Sequence, residues 1–387
     1  MSGVDVRYIV MEEKIVIAID SFKGCLGSAQ AGEAARLGVL DVMPDASVEV
    51  VRIADGGEGM AEAIGHTIGL QPVRITTYDP LMRMTDAEYY IDDKSRTAYI
   101  DMAAASGLTH VEPEYRNPVC TTTYGTGVMV ADAISKGATR IVLGLGGSAT
   151  NDAGLGALQA LGLDIYSMNG ALLEQPLSGG MMTEISRLDF TALNEKLLGV
   201  SIILACDVDS PFTGERGAVE TFSLQKGASP DDMETLEAGM ENVAALIEES
   251  VGLDVRELPG AGAAGGMGGG FAAAGAEIRS GVEEVMHSIG LRDKLRGASV
   301  CITGEGSADR QTLMGKAPYG VMRRALEAGA RVILIAGRVA DRDSLLKAGF
   351  TAAECINPPG DPDMRPEVAA KRIRSTVAAV LTRIMRP

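Results

Sequence analysis

Several turns in this 387-residue chain combine acidic residues with glycine directly after a short apolar run. Ile19 leads into Asp20-Ser21-Phe22-Lys23-Gly24, and Ile53-Ala54 into Asp55-Gly56-Gly57-Glu58-Gly59. Val142-Leu143 leads into Gly144-Leu145-Gly146-Gly147-Ser148-Ala149-Thr150-Asn151-Asp152. Leu204-Ala205-Cys206 leads into Asp207-Val208-Asp209, and Ile302-Thr303 into Gly304-Glu305-Gly306-Ser307-Ala308-Asp309. Glycine lets backbone N–H groups approach a phosphate closely, and Asp or Glu can hold a metal or take a proton. In open parallel sheets the ligand crevice lies outside the carboxyl ends of the strands, so such turns are expected to converge on one cleft. The competing reading is that Asp20, Asp55, Asp152 and Asp309 merely cap the helices that follow, and that Lys23 is a solvated loop residue. Recurrence at separate strand ends favours the site.

Positioning these turns requires a parallel sheet, and the patterning supplies one. Residues 14–19 read as a buried strand and 28–40 as a helix with Ser28 as its N-cap. A strand at 48–53 and a helix at 59–68 continue a β-α-β-α start. The C-terminal third resumes it: strands at 298–303 and 331–336, helices at 318–328 and 341–348, and a closing helix at 368–384. The middle differs, with a hairpin in 87–101 around Asp92-Asp93, strands at 140–145 and 201–205, and helices at 126–136, 152–161 and 230–251. It reads as a second α/β domain inserted into the first, with crossings expected in 74–80 and 279–291. The Gly/Ala run 261–276 reads as a tightly packed or ligand-facing turn.

Composition narrows the function. A net charge of -17 repels nucleic acid and anionic membranes, and the absence of Trp argues against stacking on single strands. Five dispersed cysteines and three His fit a reducing compartment without a zinc site. No apolar run reaches membrane length, and residues 1–13 carry no apolar signal core, so a cytoplasmic location is expected, with the first residues an extension or an added strand. Gly144 to Ala149 matches the G-x-G-x-x-G/A fingerprint of nicotinamide oxidoreductases, which is the rival reading, but Asp164 precedes a strand where the ribose-binding acid should end one. Gly315-Lys316 lacks the remainder of a P-loop.

The same residues resemble the bacterial glycerate kinases that form 2-phosphoglycerate. The matching blocks are 16–23, 54–59, 103–108, 146–152, 206–208, 225–228 and 259–268, then Thr303-Gly304-Glu305-Gly306 with Asp309, Gln311 and Gly315-Lys316. They run in order from about Lys14 to about Gly337. The resemblance implies an α/β fold: a flavodoxin-like parallel-sheet domain built from 1–78 and 289–387, and an inserted, restriction-endonuclease-like α/β domain at 79–288. It also implies ATP, Mg2+ and a glycerate acceptor, with a related small hydroxy acid as the alternative. Three features depart from the family pattern: Asp209-Ser210-Pro211 stands after Val208 where Asn is usual, Ser307 stands where Arg is usual, and 356–360 differs. A third reading, motivated by the changes at Asp209 and Ser307, is a non-catalytic binding or regulatory protein that keeps the fold but has lost the acceptor site.

On this basis Asp207 is the expected base, with Lys23 and Asp309 beside it in catalysis. Gly146, Gly147, Ser148, Asn151, Asp152, Gly304, Gly306 and Lys316 are the expected nucleotide contacts. Asp20, Ser21, Asp55, Gly56, Gly57 and Arg310 are the expected acceptor contacts, Arg310 reaching the space left by Ser307. Asp55 and Glu305 are the expected metal ligands. Partners are small molecules only, with no nucleic acid and no membrane.

Overall fold

The computed structural model describes residues 13–385 except 23, 55, 359, 362 and 364. Residues 1–12, Lys23 and Asp55 therefore lie outside the described residues. The chain divides into two compact units, Met1–Ile53 with Met286–Pro387, and Ala54–Val285.

The first unit opens with strand β1 (Lys14–Ile19), the helix Ser28–Leu40 and strand β2 (Ser47–Arg52). Ile15 through Ile19 are all buried, as expected of a strand covered on both faces. Ser28 does not act as the N-cap; Gly27 occupies that position. The Ser28 hydroxyl instead donates to Ile19 C=O at 2.6 Å and accepts Ile53 N–H at 3.2 Å, clamping the ends of two neighbouring strand segments.

The second unit carries β3 (Pro72–Tyr78), β4 (Met84–Asp92), β5 (Thr97–Asp101), β6 (Arg140–Gly144), β7 (Asp164–Ser167), β8 (Ile185–Asp189), β9 (Ser201–Ala205) and β10 (Glu277–Arg279). Six of these form one mixed sheet in the order β10-β9-β6-β5-β4-β3, while β7 and β8 pair separately. β3, β4 and β5 run antiparallel in succession, and β5, β6, β9 and β10 are parallel. β3 occupies the segment expected to be the first domain crossing. It pairs with β4 along its whole length, from Pro72 opposite Tyr90 to Tyr78 opposite Met84. The unit boundary accordingly falls at 53/54, where the sequence reading placed it after 78. β3 escapes the sequence because it is a largely exposed edge strand without an apolar run. The second boundary falls at 285/286, against 288/289 expected.

The Gly/Ala run forms the helical segment Ala263–Ala273, interrupted by left-handed backbone at Ala264, Gly265 and Gly266. Residues 263–271 are all buried. A Cβ on Gly265 would lie 2.7 Å from Asn151 Cα, and one on Gly266 3.0 Å from Ala153 Cα. Close packing requires glycine at both positions.

The chain then returns to the first unit with β11 (Ala298–Ala308), β12 (Arg331–Val339) and β13 (Ala352–Cys355). The first unit's sheet is parallel throughout, in the order β13-β12-β11-β1-β2. The helix Pro366–Ile384 lies against the helix Ser28–Leu40; a Cβ on Gly38 would sit 3.1 Å from Arg374 Cα. No described helix is long and apolar enough to cross a membrane.

Candidate active site

In the first unit the chain passes from β1 outward to β2, and from β11 in the opposite direction to β12 and β13. The topological switch point therefore lies between β1 and β11, where open parallel sheets form their ligand crevice. Ile19 stands opposite Gly304, and Asp20 N–H donates to Gly304 C=O at 3.0 Å. Asp20, Ser21, Gly304, Glu305 and Gly306 are thus gathered at one sheet edge. Glu305 is buried and accepts from Thr312 Oγ1 at 2.6 Å and Lys316 Nζ at 3.3 Å. Burial pushes its carboxyl above the usual range, against the opposing pull of Thr312 and Lys316. Asp309 folds the following turn back: its Oδ1 accepts Gln311 N–H at 2.7 Å, and its own N–H donates to Thr312 Oγ1 at 3.1 Å. Arg310 is engaged elsewhere, its Nε donating to Asp341 Oδ2 at 2.7 Å.

In the second unit Asp207 is exposed and follows β9 by two residues. Its Oδ1 accepts from Ser280 Oγ at 2.8 Å and Gly281 N–H at 3.0 Å, and its Oδ2 from Val282 N–H at 3.0 Å. This holds the carboxylate in a fixed orientation at the head of the helix Gly281–Ser288.

Asp101, at the end of β5, was missed by sequence reasoning. Its carboxylate accepts Gly59 N–H at 3.0 Å and Ala61 N–H at 3.1 Å, at the start of the helix Met60–Ile68. Two glycine loops meet beside it. A Cβ on Gly144 would lie 2.9 Å from Asp101 Oδ1 and 3.3 Å from Gly57 O. A Cβ on Gly146 would lie 2.6 Å from Glu58 N, and one on Gly147 2.8 Å from Glu58 Oε2. Gly57, Gly146 and Gly147 are therefore brought together, with Gly56 and Ser148 in the same two loops. Burial drives the Asp101 carboxyl up to about 7, with Glu58 and Glu62 adding repulsion and the Ala61 and Gly59 amides opposing. The ordinary value is 3.8, so the folded state binds more protons between these limits. This group's contribution to stability is present below about pH 4 and lost as pH rises through about 7. Asp101→Asn is expected to flatten that part of the stability profile, measured as thermal midpoints of wild type and variant from pH 4 to 8; an unchanged slope would remove Asp101 as its source.

Asn151 and Asp152, which follow the second of these loops in the chain, are fully buried. Asp152 Oδ2 accepts Thr123 N–H at 2.7 Å, Thr123 Oγ1 at 2.8 Å and Gly156 N–H at 3.3 Å, and Oδ1 accepts Gly154 N–H at 3.1 Å. The expected helix at 152–161 is the shorter Leu155–Ala160, and the amides at its start are turned to Asp152 rather than outward to an anion. The cause is the left-handed pair Ala153 and Gly154, which bends the chain around the carboxylate. Lys226, 2% exposed, donates from Nζ to Thr150 C=O at 2.7 Å. Burial lowers its ammonium to about 7, and Asp152 partly offsets this. Among the described residues the Thr150 hydroxyl and Asn151 Nδ2 have no hydrogen-bond partner, although both are buried. Asp152 thus ties its own turn, Gly154 to Gly156, to Thr123, and Asn151 Oδ1 accepts from Ser223 Oγ at 3.0 Å. Gly146, Gly147 and Ser148 lie in the loop that precedes them.

The dinucleotide reading fails on topology. Asp164 starts β7, which pairs antiparallel with β8 outside the six-stranded sheet. A ribose-binding acid must end a strand of the parallel sheet. Residues 15–386 instead match the family model described as the glycerate kinase family. The chain belongs to the glycerate kinase family.

Among this glycerate kinase family member's relatives, the glycerate 2-kinase of Escherichia coli K12 is 41% identical over 330 residues, 85% of this chain and 86% of the relative. The glycerate kinase of Halalkalibacterium halodurans is 39% identical over 346 residues, 89% of this chain and 90% of the relative. A crystal structure of a Salmonella typhimurium LT2 protein assigned as glycerate kinase 2 superposes with a TM-score of 0.85 at 36% identity, covering 96% of this chain and 98% of the other. Against that background the buried Lys226 and Asp101 are the residues whose chemistry sequence reasoning did not foresee. Lys226 stood in a matching block, and Asp101 follows Ile100 as Asp20 follows Ile19.

Proposed function

We propose that this chain transfers the γ-phosphoryl group of ATP to the 2-hydroxyl of D-glycerate, giving 2-phosphoglycerate. The observation that carries this reading is the match to glycerate kinases over residues 15–386. Such a reaction asks the protein for positioning and charge neutralisation rather than covalent chemistry. The strand order, with β1 second and the switch point between β1 and β11, supports a flavodoxin-like first unit. The restriction-endonuclease-like reading of the second unit rests on the family resemblance alone. A cytoplasmic location is part of the same proposal.

The donor set suits a divalent cation. Mg2+ is typically held by one or two carboxylates together with phosphate oxygens and water. Glu305 offers a hard oxygen at the switch-point edge, and the desolvation that raises its carboxyl would be offset by a cation beside it. Asp55 is the second proposed ligand, outside the described residues. The chemistry such a cation supplies is neutralisation of phosphate charge. Lys316 and Lys23 serve the same purpose as point charges, and Gly304, Gly306 and the backbone of 146–148 offer close approach. Asp20, Ser21, Gly56 and Gly57 are proposed to face the acceptor. Asp207 is proposed as the group that orients the acceptor hydroxyl and takes its proton, with its cap bonds fixing its aim.

The test is ADP release by purified chain with Mg2+ and ATP across D-glycerate, L-glycerate, glycolate and lactate. Release that depends on D-glycerate is expected. Release that ignores the acceptor would contradict the proposal, and a higher kcat/KM on another acid would favour the related-acid reading motivated by Asp209 and Ser307.

A further inference from the structure

β11 and β12 run parallel, and Ser307 is the direct register partner of Arg338. Partners on adjacent parallel strands project from the same face of the sheet, and residues two apart along a strand share a face. Arg338, Ser307 and Glu305 therefore stand on one face, over which the Asp309–Lys316 turn folds to bring Thr312 and Lys316 onto Glu305. The cations around this edge differ in commitment. Lys316 is paired with Glu305, and Arg310 with Asp341. The exposed Arg338 side chain makes no hydrogen bond or ion pair among the described residues.

The backbone carrying Arg338 is held in place. Gly337 C=O accepts Asn357 Nδ2 at 2.8 Å and Cys355 Sγ at 3.2 Å. Arg372 Nη1 in turn donates to Asn357 Oδ1 at 2.9 Å. A Cβ on Gly337 would lie 2.7 Å from Gly306 O, so β12 approaches the glycine turn of β11 as closely as backbone allows. An uncommitted guanidinium on a braced strand end, one strand from the switch point, is arranged to receive a planar or tetrahedral oxyanion.

We infer that Arg338 is a substrate-anion residue of this chain, supplying from β12 the guanidinium that its neighbour Ser307 does not supply from β11. The inference rests on the kinase reading above and adds a residue to it. The oxyanion is either a nucleotide phosphate or the carboxylate of the hydroxy acid, and the two sources separate by which substrate responds. Arg310 pairs with Asp341, whereas Arg338 has no ion pair among the described residues.

The experiment compares wild type, Arg338→Ala, Ser307→Arg and the double variant Ser307→Arg with Arg338→Ala. KM for ATP, KM for D-glycerate, kcat and the melting temperature are measured for each. Loss of a charge-assisted contact should raise one KM roughly 10- to 100-fold. The melting temperature should stay unchanged, since the side chain is exposed. The double variant should recover most of the lost affinity. A rise confined to ATP identifies a phosphate; a rise confined to D-glycerate identifies the carboxylate. Both KM values within twofold of wild type would overturn the inference, as would a rise that Ser307→Arg fails to reverse. Calorimetric binding of a non-hydrolysable ATP analogue and of D-glycerate makes the same comparison without turnover, so absence of kinase activity in the wild type would count against the function alone.

Discussion

Asp207→Asn is expected to lower kcat by about a hundredfold to ten-thousandfold, the range for loss of a positioned general base. The melting temperature should fall by no more than about 4 °C. The second expectation makes the first interpretable. Asn ranks with Asp as an N-cap, so its carbonyl can still accept from Ser280 Oγ and Gly281 N–H. The Val282 N–H bond is the one the amide cannot reproduce. One such bond contributes on the order of 1 kcal/mol, and a change of that size moves a unit of this length by about 2–4 °C. Undiminished turnover together with a lowered melting temperature would reduce Asp207 to a helix cap. A large kcat loss at near-native stability would establish its role in catalysis.

Asp152→Ala should have the largest effect on folding. The buried carboxylate receives four donors from Thr123, Gly154 and Gly156, and alanine strands all of them without water. Unpaired buried donors cost about 1–3 kcal/mol each, and losses at one site are not additive, so a total of about 3–5 kcal/mol is expected. That corresponds to a fall on the order of 10 °C in melting temperature. Asp152→Asn, which keeps an acceptor, should lose less. Asp152 also favours the protonated form of Lys226, so its removal should push that already lowered ammonium further down. Urea unfolding of both variants measures the first effect; a loss under about 1 kcal/mol for Asp152→Ala would mean the loop is held mainly by other contacts.

The parts of the fold that the sequence reveals are those whose pattern is local. β1 is a run of apolar residues, and the hairpin of β4 and β5 turns at Asp92-Asp93. β3 is different: Val73, Ile75 and Thr77 alternate with exposed Arg74 and Thr76, so this edge strand has one half-buried face and no continuous apolar run. β13 spans only Ala352–Cys355 and is found by its pairing with β12, not by its composition. The site divides in the same way. The acids and glycines after strands were visible as residue types, but what each touches was not. Asp207 caps a helix more than seventy residues further along the chain. Asp152 was expected at a ligand-facing helix start and is enclosed instead. Asp101 and Lys226 gain their perturbed protonation from burial, which only tertiary structure decides. The pairing of Ser307 with Arg338 is a matter of register between strands, invisible along a single chain.

Phosphorus–carbon correlation NMR on the product made from carbon-13-labelled D-glycerate and ATP addresses the function most directly. The account predicts a phosphorus resonance coupled to the carbon bearing the secondary hydroxyl, in one-to-one yield with ADP. Phosphate appearing only as the free inorganic ion, or attached to the terminal carbon, would contradict it.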